Sequence, residues 1–125
     1  MKNLNIESYS GSVPKVQFDV NTGICEISGE SCPEDVHIFY DELNDWLYDY
    51  IENIKGHISL IINLKYFNTS SSRAIFRILL ILKKYQDDGG EVDITWHYDE
   101  DDIDTLDEIT DQSTEAEISI LKVPY

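Results

Sequence analysis

Apolar positions along the chain change their period several times, and each change marks an element. Val16, Phe18 and Val20 alternate with polar neighbours, and Asn21-Thr22-Gly23 follows with turn chemistry. Cys25 and Ile27 then alternate with Ile24, Glu26 and Ser28, so the two runs predict a β-hairpin. Further on the period lengthens. Val36, Phe39, Tyr40, Leu43, Trp46, Leu47, Tyr50 and Ile51 recur at helical spacing, with Asp41, Glu42, Asp45, Asp49 and Glu52 on the opposite side. Pro33 suits a first helical turn, and Ser31 with Glu34 has capping-box spacing, so this helix is expected to begin near Pro33.

Gly56 closes that region. The run Ile58-Ser59-Leu60-Ile61-Ile62-Asn63-Leu64 is short, apolar and β-branched, and it predicts a strand buried on both faces. A polar break, Asn68-Thr69-Ser70-Ser71-Ser72, leads into a second helix that runs to about Tyr85 and stops at Gly89 and Gly90. Val92, Ile94 and Trp96 alternate as another strand. Asp101 to Ile109 reads as a short acidic helix, and Ile118 to Val123 as a last strand. The expected order is β-β-α-β-α-β-α-β, an α/β fold in which helices cover one sheet. No repeat, low-complexity stretch or linker divides residues 1–125, which read as a single domain.

Composition agrees with a packed core. The chain is 42% hydrophobic and 11% aromatic, too apolar for a disordered segment. Its net charge of −16, from 25 acidic and 9 basic residues, opposes binding to nucleic acid or to an anionic membrane surface. It suits a partner protein with basic patches. Two cysteines, Cys25 and Cys32, make no disulfide framework and fit a reducing compartment. With no apolar leader-like segment near Met1 and no run of membrane-spanning length, the expected location is cytoplasmic.

The segment from Leu64 to Lys84 carries the chemistry. A strand passes through a hydroxyl-rich turn into a helix, whose first turn has unpaired N–H groups and a partial positive charge. A phosphoryl group is well accommodated there, and it would add about −1.5 to −2 charges. Asn, Ser and Thr are also preferred N-caps, and from residue types alone the run reads as a cap. On the helix that follows, Ile75, Ile78, Leu79, Leu82 and Tyr85 line one side. Arg73, Phe76, Arg77, Leu80, Lys83 and Lys84 line the other. Two apolar residues rimmed by cations make a docking surface, unless another layer of the protein covers Phe76 and Leu80.

Catalytic chemistry finds less support. Asp99, Glu100, Asp101, Asp102 and Asp104 could hold a divalent cation in a metal-dependent enzyme, yet the run lacks the spaced ligands and central glycine of a calcium loop. His37, His57 and His97 form no metal-ligand pattern with the cysteines. There is no Gly-rich phosphate loop and no G-x-S-x-G nucleophile turn. The expectation is a protein without catalytic residues, metal or cofactor.

Tyr66-Phe67-Asn68-Thr69-Ser70-Ser71-Ser72-Arg73 resembles the signature of the SiaC family of bacterial regulatory phosphoproteins. The opening Met1-Lys2-Asn3-Leu4-Asn5-Ile6 is similar as well, as are Val13-Pro14-Lys15-Val16 and Gly23-Ile24-Cys25-Glu26-Ile27-Ser28-Gly29. Pro33-Glu34-Asp35, Asp45-Trp46-Leu47 and Trp96-His97-Tyr98-Asp99-Glu100-Asp101-Asp102 extend the likeness to about residue 110. Cys32, where the family usually has an aromatic residue, and Asp35, often asparagine, depart from it.

The resemblance implies a STAS-like fold, that of the anti-sigma-factor antagonists. It also implies that Thr69 is phosphorylated by a cognate Ser/Thr kinase and dephosphorylated by a PP2C-type phosphatase. The unphosphorylated form would bind and activate a diguanylate cyclase and so control cyclic di-GMP. Asn68, Ser70, Ser71, Arg73, Phe76, Arg77 and Leu80 are the expected partner-binding residues around Thr69. An anti-sigma-factor antagonist in a partner-switching transcription module shares the same fold and helix-start hydroxyl.

Overall fold

The computed structural model describes residues 1–8 and 11–125. Its elements are β1 (Leu4–Ile6), β2 (Lys15–Phe18), β3 (Ile24–Ser31), α1 (Val36–Asn53), β4 (Ile58–Phe67), α2 (Thr69–Asp87), β5 (Val92–Tyr98), α3 (Ile103–Ala116) and β6 (Leu121–Pro124). The order β-β-β-α-β-α-β-α-β is the expected one with a short strand added at the front. That strand, β1, pairs antiparallel with β2, and the indole N–H of Trp46 donates to the Lys2 carbonyl at 2.8 Å beside it.

The predicted hairpin is β2 and β3, joined antiparallel with Phe18 opposite Cys25. Asp19 organises the turn: its carboxylate accepts from the Asn21 N–H at 2.8 Å, and its carbonyl from the Gly23 N–H at 2.8 Å. Gly23 has φ +73°, and a Cβ there would lie 1.8 Å from the His57 carbonyl oxygen. Only glycine fits this crossing.

All six strands form one sheet in chain order, with β3 to β6 parallel. α1 packs against α2 and α2 against α3, so the three helices share one face, as crossovers of the usual right hand between successive neighbours require. Burial confirms it. Along β4, Ile58, Leu60, Ile62 and Leu64 are buried, whereas Ser59, Ile61 and Asn63 are half-buried. The expectation of a strand buried on both faces is therefore corrected: Ile61 lies on the bare face. The core lies between this sheet and the helices, with Phe18, Ile27, Leu60, Ile62 and Trp96 against Leu43, Leu47, Ile75, Ile78 and Leu79. Phe18 meets Trp46 edge-on at 5.2 Å, and Trp46 stacks on Tyr50 at 5.2 Å.

Two helix starts differ from expectation: α3 begins at Ile103 rather than Asp101, and α1 also starts later. The Asp35 carboxylate caps α1 by accepting from the His37 and Ile38 N–H groups, each at 3.1 Å, so the helix begins at Val36 rather than near Pro33. Ser31, expected in a capping box, is instead the last residue of β3 and fully buried. The acidic helix α3 runs on to Ala116, past the expected end at Ile109, and Ile109, Gln112 and Ala116 face inward.

Candidate functional site

The strand-to-helix junction is built around Asn68. Its side-chain oxygen accepts from the Ser71 N–H at 2.9 Å, and its carbonyl from the Ser72 N–H at 2.9 Å. Asparagine, not one of the four hydroxyls, thus caps α2. Asn68 itself is half-buried, which gives it a positioning place rather than an open contact surface.

The hydroxyls then divide in two. Ser71 is fully buried, so its expected place among the partner-contacting residues is corrected. It sits in a chain of hydrogen bonds in which Tyr40 and Ser31 share a 2.6 Å contact, Ser31 donates to Ser71 at 2.8 Å, and Ser71 donates to the Ser31 carbonyl at 2.8 Å. This chain ties α2 to α1 and β3. Burial is the main effect on the Tyr40 phenol and raises its pKa, against the lowering effect of Ser31 and Ser71. Ser72 is held from the other side: it donates to the Glu108 carboxylate, and Gln112 donates to its hydroxyl at 3.0 Å. Thr69 and Ser70 remain exposed.

Two clefts flank those exposed hydroxyls. Thr69 lines one of about 360 Å³ between the starts of α2 and α3, with Lys65 as its cation and Asp102, Asp104 and Glu108 as its acids. Ser70 lines the other, of about 280 Å³ between α1 and α2, with Arg73, Arg77, His37 and Asn44. A threonine phosphate would meet the positive start of α2 and three nearby carboxylates at once. Arg73 and Arg77 are exposed, as expected. Leu80 is 45% exposed and lines a third, mainly apolar cleft with Tyr48, Ile51 and Ile81. Phe76 is half-buried and packs against the core, so the structure covers part of the apolar pair.

The acidic run before α3 has local duties. Asp102 caps the helix by accepting from the Thr105 N–H at 3.0 Å and its hydroxyl at 2.7 Å, which holds its carboxyl below the usual value. Asp99 accepts from the Asp101 N–H at 2.9 Å. Among the described residues no group of three or more His, Cys, Asp or Glu side chains could hold a metal ion, and no helix is long and apolar enough to cross a membrane.

Sequence reasoning missed Asn44, Tyr40 and Ser31 as members of this region. Asn44 carried a signal: it is a polar residue one position from Leu43 within the apolar stripe of α1. Ser31 and Tyr40 carried none, because their partner Ser71 lies 40 residues from Ser31.

Comparison with known proteins agrees with this geometry. The structure is similar to apo-SiaC from Pseudomonas aeruginosa, with a TM-score of 0.89 and 25% identity over 98% of this chain and 99% of that one. A second structure of SiaC from the same organism matches with a TM-score of 0.82 and 26% identity, over 100% of this chain and 98% of the other. At 24% identity and a TM-score of 0.90, the fold also matches a chain in the crystal structure of the diguanylate cyclase SiaD in complex with its activator SiaC, covering 98% of this chain and 99% of that one. An uncharacterised protein of Pseudomonas aeruginosa strain UCBPP-PA14 is 32% identical over 88 residues, which is 70% of each chain. The model of the SiaC family regulatory phosphoproteins matches residues 6–123, beyond the reach to about residue 110 read from the motifs. The chain belongs to the SiaC family of regulatory phosphoproteins.

Proposed function

We propose that this protein is a phosphorylation-controlled activator of a diguanylate cyclase, with Thr69 as the switch. Unmodified, Thr69 and the exposed flank of α2, namely Ser70, Arg73, Arg77 and Leu80, contribute to the surface that holds the cyclase, with Asn68 and Phe76 supporting it from below. A cognate Ser/Thr kinase adds the phosphate and a PP2C-type phosphatase removes it. The protein itself acts by binding rather than by catalysis, in the cytoplasm.

The observation that carries this reading is the division of the hydroxyls. Ser71 and Ser72 are tied into the fold, while Thr69 and Ser70 stand exposed, Thr69 at the first residue of α2. A kinase can reach it without unfolding anything. The added dianion would meet Asp102, Asp104 and Glu108 across its cleft, and burying it under a partner would be costly unless that partner supplied cations. Family membership supports the phosphoprotein reading, and the SiaC–SiaD complex supports the cyclase as partner.

Phosphosite mass spectrometry on protein from its own cells, with pull-downs of wild type and Thr69→Glu, tests it. Phosphate on Thr69 and a cyclase retained by wild type alone are the expected results. An unmodified Thr69 in every growth condition, with equal capture by both forms, would overturn the reading.

A further inference from the structure

Four of the nine basic residues lie on α2: Arg73, Arg77, Lys83 and Lys84. Lys83 pairs with Asp87 at 3.1 Å and Lys84 with Asp88 at 3.4 Å. Arg73 and Arg77 have no ion pair or hydrogen bond among the described residues, although the chain holds 25 acidic residues and Asp41 lines the same cleft. Both guanidinium groups line one cleft and are free to hold an anion from outside.

A second observation lies in the same cleft. Asn44 lines it, is only 8% exposed, and its Oδ1 has no hydrogen-bond partner. Buried polar atoms are almost always paired; here Nδ2 makes no hydrogen bond either, and unlike Oδ1 it is not sealed from solvent. Nδ2 can therefore donate to an acceptor held by the arginines without any turn of the amide.

We propose that the cleft between α1 and α2 is a socket for one carboxylate side chain of the cyclase, held by Arg73, Arg77 and Asn44. This deepens the proposed function and rests on it. A planar carboxylate matches the fork of an arginine as no other side chain does. Arg77 also lines the adjoining apolar cleft beside Leu80 and Tyr48. The cyclase segment therefore carries an apolar residue about one helical turn from its acid, as an amphipathic helix does. The switch acts on this socket directly. Arg73 lies four residues after Thr69, within reach of a phosphate there. The acids of α3 repel that phosphate from the opposite side, so it competes for the arginine that the cyclase needs.

Calorimetric titration of the cognate cyclase into wild type, Thr69→Glu, the double variant Arg73→Gln/Arg77→Gln and Asn44→Asp tests the socket. The glutamine variant is expected to bind on the order of 30-fold more weakly or worse, with a reduced dependence on salt. Asn44→Asp places a carboxylate beside the cleft, where it repels an incoming one, so binding should fall. If Thr69→Glu loses the cyclase but the glutamine variant binds within about 3-fold of wild type, a difference of well under 1 kcal/mol, the socket is wrong and the switch stands. A wild-type chain that never binds the cyclase overturns both. The arginines are exposed, so the glutamine variant keeps the test valid even where Asn44→Asp fails to fold.

Discussion

Replacing Ser71 with alanine removes one link of the Tyr40–Ser31–Ser71 chain and leaves the Ser31 hydroxyl proton without its acceptor in a fully buried place. The expected loss is about 1–3 kcal/mol, read as a lower urea midpoint at unchanged slope. Thr69→Val, two residues earlier, breaks no internal hydrogen bond and should change stability by less than about 0.5 kcal/mol. The thiols divide in a similar way. Cys25 is buried, and its pKa is pushed up to about 12, first by burial and then by the Asp19 carboxylate, whereas Cys32 is half-buried. A thiolate is the reactive form. A thiol reagent at neutral pH should therefore label Cys32 alone in the native protein, and both cysteines after denaturation.

Each helix depends on a different cap, and the caps give separate predictions. The lowered carboxyl pKa of Asp102 means that its folded value lies below its unfolded one, near 3.8. Its contribution is complete above the unfolded value and is lost as the pH falls through the folded one. Asp102→Asn should flatten that acid limb in denaturation curves followed from about pH 6 to about pH 3. At the hairpin, Gly23→Ala would force a Cβ against the His57 carbonyl at positive φ and should lower stability by about 2 kcal/mol or more. Both long helices and the hairpin were legible because their apolar residues keep one period over many positions. The strand β1 was not, because three residues show no period and their pairing with β2 is what defines them. The true length of α3 was hidden for another reason: its last inward residues are Gln112 and Ala116, one polar and one small, which leave little apolar signal. At the site, the exposed half of α2 was legible from the basic residues on one helical side. The burial of Ser71 was not, since its partners lie on other elements.

Across the whole molecule, the net charge of −16 opposes compaction by self-repulsion. Added salt screens that repulsion, so the melting temperature should rise from low to moderate ionic strength. A melting temperature indifferent to salt would mean that the acids are too dispersed to act together. Binding of the cyclase should respond in the opposite direction, because salt also screens the two arginines. The molecule would then be more stable, and less tightly bound, under the same change of solvent.

The sheet grows in chain order from β1 to β6, and that has a kinetic meaning. Every strand pairs with the strand immediately before it in the sequence, so no stretch must wait for a distant one. During synthesis each strand and its following helix can be laid on the edge already made as they leave the ribosome, each parallel pairing closing a crossover of about one helix. Of the six strands β6 is made last, and it is only four residues long. The junction that carries Thr69 is assembled well before it, but Ser72 stays without Glu108 and Gln112 until α3 is made.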